Sequence, residues 1–329
     1  MYSAKHNSNR TNRKLTFQTL ESRQLMAGDV AVQVLNGDLK ITGDTADNDV
    51  AIVQTMVAGH VVPGSYYVSG LNGTTINGAS GGAYFTGVNR DFLMNLTQGG
   101  NDHLAMGTNG GFDPATTNAN FIVPRNLSVS LDTVGNNNLE LNGIWVKNNA
   151  TITAGAGDNT MDIRATVGVK SKIQSLLPHG NLTIQAGGGD NELQLHNGSV
   201  LNNVNIKLGM GQVGHDSVGI VAMNVGKDLN IQSGGGGSDL NLISVQGVHV
   251  GHDLNITGGI KGDLVFIGNT TVADRLFASL GHGDDFLSLQ GVTAAITAIT
   301  GGQDSDKLHT QSDDHLGPQP QILSFELSV

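Results

Sequence analysis
The chain has 329 residues, 47 of them glycine, no cysteine, 14% charged residues and 4% aromatic residues, with 28 acidic groups against 17 basic ones. The missing cysteine excludes disulfides and thiol chemistry, and the 38% hydrophobic content is enough for a packed core. The sequence has no apolar run of the length a membrane-spanning helix needs. The charge is divided. Residues 1–28 carry five basic groups and one acidic group, while the rest carries 12 basic and 27 acidic groups. A body this acidic is repelled by nucleic-acid phosphates and by anionic lipid. Asp outnumbers Glu 24 to 4. Asp and Asn bond their own backbone and tolerate unusual dihedrals, so this balance predicts strands and turns rather than helices.

The first element in chain order is a basic, polar segment over residues 1–28. Its small-residue pair Ala27-Gly28 suits a cleavage site, although Glu21, Arg23 and Gln24 interrupt the apolar stretch of an ordinary signal peptide. The run Leu20-Glu21-Ser22-Arg23-Gln24-Leu25-Met26-Ala27-Gly28-Asp29 resembles the LEPR-XLL-type N-terminal motif of planctomycete secreted and surface proteins. Ser22 stands where that motif has proline, and Met26 where it has its second leucine. The resemblance covers about ten residues. It implies an extracellular or cell-envelope location and carries no statement about what the body does.

Residues 29–125 read as an irregular β region that caps a solenoid. Tyr66-Tyr67-Val68-Ser69-Gly70-Leu71-Asn72-Gly73 predicts a strand and a hairpin turn. Residues 126–312 read as the solenoid repeats themselves. Leu39, Ile41, Asp47, Asn48, Val50 and Ile52 recur, at a constant shift of 143, as Leu182, Ile184, Asp190, Asn191, Leu193 and Leu195. Each copy alternates apolar and polar residues, breaks at a Gly/Asp/Asn turn, and alternates again. Val225-Gly226-Lys227-Asp228-Leu229-Asn230-Ile231 returns 25 residues later as Val250-Gly251-His252-Asp253-Leu254-Asn255-Ile256. Turn positions at 191, 216, 239, 263, 285 and 306 are 21–25 residues apart. That period predicts an all-β, single-stranded parallel β-helix (β-solenoid), with coils of about 21–25 residues stacked at strand spacing. The Val-Gly-x-Asp-Leu-x-Ile units resemble those of filamentous-haemagglutinin-like adhesin solenoids. Residues 313–329 form a C-terminal tail suited to covering the last coil edge.

The turn carries the candidate chemistry. Gly100/Asp102/Leu104, Gly214/Asp216/Val218 and Gly283/Asp285/Leu287 resemble the tail of the calcium-binding haemolysin-type repeat Gly-Gly-x-Gly-x-Asp-x-apolar-x. Here the motif comes once per coil rather than every nine residues, and Asn48, Asn137, Asn159 and Asn191 take the Asp place. Two readings are open. Stacked carboxylates about 5 Å apart repel, and Ca2+ would relieve that repulsion at Asp216, Asp239, Asp263, Asp284, Asp285, Asp304 and Asp306. Alternatively, Asp and Asn cap the strands and stack as hydrogen-bonded ladders.

Gly209-Met210-Gly211-Gln212-Val213-Gly214 fits a dinucleotide fingerprint but lacks the helix that such a site needs. No catalytic residue is expected. The expected role is that of a secreted or surface structural or adhesive rod, with a cell-envelope, matrix or polysaccharide partner. The alternative is a β-helix lyase or hydrolase acting on polysaccharide.

Overall fold
The computed structural model describes residues 27–58, 60–107, 121–131, 134–164, 180–209, 214–234 and 240–327. Every regular element among them is a β-strand. Two long ladders of parallel strands face one another in a β-helix-like arrangement, and the chain passes alternately from one to the other. The first runs through Asp38–Thr42, Phe92–Leu96, Leu127–Leu131, Ala150–Ala154, Leu182–Ala186, Val204–Lys207, Leu229–Gln232, Leu254–Thr257, Thr271–Gly281, Thr293–Gly302 and Gln321–Leu323. The second begins at Asp49–Val57, continues through His103–Gly107, Asn138–Asn142 and Thr160–Arg164, and ends at Glu326–Leu327. Short strands such as Ser199–Val200, Asn224–Val225 and His249–Val250 pair along a third side.

The alternation seen in the sequence explains the packing. Leu182, Ile184, Leu193 and Leu195 point inward and are fully buried, while Thr183 and Gln194 between them face outward. The stretch from Leu229 to Val250 buries Leu229, Ile231, Ile243, Val245, Val248 and Val250. Each contributes about 1.5–3 kcal/mol of transfer free energy. All six residue pairs of the 143-residue shift fall in common columns. Leu39 reaches Leu182 through Phe92, Leu127 and Ala150, and Val50 reaches Leu193 through Leu104, Leu139 and Met161.

Antiparallel pairing among the described residues is confined to residues 29–86. Asp29–Leu35 folds back on Asp38–Thr42 through Asn36 and Gly37, both at positive φ as a two-residue hairpin requires. His60–Gly70 lies between Asp49–Val57 and Gly82–Thr86. Tyr66 is the largest buried side chain there, and its ring packs edge-on against Phe92 at 4.8 Å. The turn at Asn72-Gly73 exists, but the hairpin partner of Ser65–Ser69 is Gly82–Thr86, beyond a further small hairpin at Asn77-Gly78. At the other end, the tail adds one more strand to each ladder: Gln321–Leu323 on Ala298–Thr300, and Glu326–Leu327 on Lys307–Leu308.

Candidate functional site: three columns of Asn and Asp
The turn that enters the second ladder places one Asn or Asp per coil beneath the strand. Asn48, Asp102, Asn137, Asn159, Asn191, Asp216, Asn241, Asp263, Asp285 and Asp306 form this inner column, and each is at most 4% exposed. Where the residue is Asn, the side-chain amide does two jobs. Asn159 Nδ2 donates to the Gly155 and Gly157 carbonyls of its own turn at 3.1 and 2.7 Å, and to Asn191 Oδ1 of the next coil at 2.9 Å. Asn191 Nδ2 repeats this with the Gly187 and Gly189 carbonyls, both at 3.0 Å, and with Asp216 Oδ1 at 2.9 Å. Where the residue is itself Asp, it has no side-chain donor and its backbone amide makes the link. Asp263 N–H donates to Asp285 Oδ1 at 2.7 Å, and Asp285 N–H donates to Asp306 Oδ1 at 3.0 Å.

One residue earlier in each turn is an outer, exposed column. Asn101, Asn136, Asp158, Asp190 and His215 each donate a backbone N–H to the side-chain oxygen one coil back, on Asp47, Asn101, Asn136, Asp158 and Asp190, at 2.7–3.0 Å. Glycine precedes the outer residue in most coils. Gly189 has φ +103°, and a Cβ there would lie 2.5 Å from the Gly157 carbonyl oxygen. The turns stack backbone on backbone, which leaves no room for a side chain.

A third column stands at the start of the first ladder, formed by Asp38, Asp91, Asn126, Asn149, Asn181, Asn203, Asp228 and Asp253. Each accepts, through Oδ1, the backbone N–H of the residue one coil on, at 2.9–3.3 Å, and Arg275 N–H closes the series. Sequence reasoning does not single out this column as a unit, although its signature is visible there. From Asp38 to Asp253 an Asn or Asp directly precedes the first inward residue of the strand, as in Asp38-Leu39, Asn181-Leu182 and Asp253-Leu254.

The expected metal residues divide among these columns. Asp216, Asp263, Asp285 and Asp306 are inner-column residues and share one edge. Asp284 and Asp304 lie exposed beside them, accepting the Ser305 and Gly283 amides at 3.1 Å each. Asp239 lies outside the described residues, and the inner-column position between Asp216 and Asp263 belongs to Asn241. Among the described residues, no three His, Asp or Glu side chains come together so as to hold a metal ion. None is therefore assigned as a metal ligand.

Charge placement differs along the stack. Asp91 receives Arg125 in a forked pair, with the Asn126 amide beside it, and its carboxyl is held below the usual carboxylate range, chiefly by the Arg125 hydrogen bond. Asp29 is likewise lowered by hydrogen bonds from Thr75 and Gly78. Burial acts in the opposite direction on the inner column. It raises Asp216 and Asp306, lifts Asp263 to about 6, and lifts Asp285 to about 7, with the neighbouring Asp263, Asp306 and Asp284 adding to the last.

One cavity of about 430 Å³ lies beside the N-terminal strands, lined by Gln54, Pro63, Val88, Asn89, Ile122 and Lys147 among others, with no carboxylate in its lining. No helix among the described residues is long and apolar enough to cross a membrane.

Residues 11–30 match the family described as "Planctomycete extracellular". Of the matched stretch, residues 11–26 lie outside the described residues. Gly28 and Asp29 are built into the fold, donating backbone N–H groups to the Asp47 carbonyl at 3.0 Å and to Asp44 Oδ2 at 2.8 Å. No curated protein and no solved structure matches the chain. The match over residues 11–30 places the protein outside the cell.

Proposed function
We propose that this extracellular chain is a single-stranded β-solenoid that works as a rigid structural or adhesive rod, without catalysis. The observation that carries this reading is the set of side-chain columns. Asn and Asp link coil to coil at two corners, from Asp38 to Arg275 and from Asn48 to Asp306. The sequence thus spends its most regular polar positions on holding successive turns in register. A glycoside-hydrolysing site sets a pair of carboxylates several ångströms apart across a substrate cleft. The acidic residues with shifted pKa values instead sit under strands or in paired turns, and the 430 Å³ cavity has none.

The reading is tested by combining small-angle scattering on the purified full chain with incubation against a panel of extracellular polysaccharides. An elongated particle that pulls down with cell envelopes and releases neither reducing ends nor unsaturated products is expected. Product release abolished by a carboxylate-to-amide substitution would overturn it in favour of a lyase or hydrolase.

A further inference from the structure
The inner column changes chemistry along its length, and at its carboxylate-built C-terminal end two side-chain oxygens are left unaccounted for. In the amide-built coils, the second side-chain atom is Nδ2, a donor to the carbonyls of its own turn, as in Asn137 to Gly135 at 2.8 Å. In Asp263 that second atom is an acceptor, and it is served by the Gly259 amide at 2.8 Å. In Asp285 and Asp306 it is also an acceptor, yet Oδ2 of each is buried with no hydrogen-bond partner. At Asp306 the surroundings leave no space for a compensating side chain. A Cβ on Gly301 would lie 2.3 Å from Asp306 Oδ2. The titratable groups facing the pair are Asp263, Asp284 and Asp304, all acidic, and no cationic side chain among the described residues forms an ion pair with any of the five.

We propose that Asp285 and Asp306 are proton-binding positions of the ladder. A carboxylic O–H there supplies the donor that Asn Nδ2–H supplies elsewhere, so the C-terminal end is complete when protonated and loosens as pH rises. A proton fits where a larger ion does not. Calcium takes about six to eight oxygens, and a buried column offering one free oxygen per coil does not provide that shell. The direction of the effect comes from linkage. The unfolded chain releases these protons near the ordinary carboxylate range, whereas the folded chain keeps that of Asp285 until about 7. Between those limits the native state binds more protons, so stability falls as pH rises. Asp91, held low by Arg125, stays ionised through that window and does not mask the effect.

The test is a set of circular-dichroism melts on the full chain at about pH 5 and about pH 8.5, with excess chelator or with added calcium. The wild type is expected to melt several degrees lower at the higher pH. Asp285→Asn and Asp306→Asn are expected to raise the high-pH melt and shrink that difference. Hydrogen exchange of the wild type, corrected for intrinsic rate, gives a readout that needs no variant. Protection at the Asp263 and Asp285 amides should fall between the two pH values, while that at Asn159 holds. A wild-type melt that is flat or rises with pH would overturn the proposal, as would Asn variants that lose stability equally at both. Calcium restoring the high-pH melt of the wild type but not of the variants would assign the position to a cation instead.

Discussion

Between Asn137 and Asn191, every side chain of the inner column is an amide that both gives and accepts, so one residue closes its own turn and grips the next coil. Between Asp263 and Asp306, every side chain can only accept when ionised, and the link to the next coil passes through a backbone N–H instead. The strands above are alike in both stretches: parallel, in register, with a buried apolar pair in every coil but that of Asp306, which buries Leu308 alone. The fold therefore tolerates either residue. The difference lies in what the second atom of the side chain does, and hence in how each stretch answers to pH.

The strongest way to break the comparison is Asn159→Ala. It strips donors from two turn carbonyls and from Asn191 Oδ1, all buried or partly buried, and should cost about 3 kcal/mol in a denaturant titration. A loss under about 1 kcal/mol would mean that water or backbone relaxation replaces the ladder. Next is Gly189→Ala, which forces a side chain onto a positive φ and against the Gly157 carbonyl; about 2 kcal/mol is expected in the same titration. Asn159→Asp sharpens the contrast by converting an amide coil into a carboxylate coil. It should destabilise by about 1–2 kcal/mol near pH 8 and recover much of that near pH 5, as stability against pH would show. The smallest effect belongs to Arg275→Ala at the exposed pair with Asp253, a few tenths of a kcal/mol that vanish in high salt.

Much of this fold is legible in the residues, because a half-buried strand writes its alternation directly into the sequence. The 143-residue shift picks out true columns for that reason. The error at Asp239 shows the limit of the same signal. Asp239-Leu240-Asn241-Leu242-Ile243 alternates across both acidic-type positions. A shift of two residues preserves which side chains face inward, so period and alternation cannot choose between 239 and 241. Only the pairing of Asn241 with Asp216 and Asp263 does so. The split between buried Asp285 and exposed Asp284 is likewise invisible in an Asp-Asp pair until the strand register is known. The antiparallel N-terminal layer is visible as turns, Asn36-Gly37, Asn72-Gly73 and Asn77-Gly78, but their partners depend on which strands meet across residues far apart in the chain.

The corner column from Asp38 to Asp253 also bears on how long such a protein can be. Asp228 precedes Leu229 in the same way that Asp253 precedes Leu254, and both strands turn a Leu and an Ile inward with an Asn between them. Removing residues 229–253 would join Asp228 to Leu254 and recreate a junction the molecule already contains, and copying them would do the same. At this corner the molecule is a ruler with divisions of 25 residues, each opening on the same Asp-Leu junction.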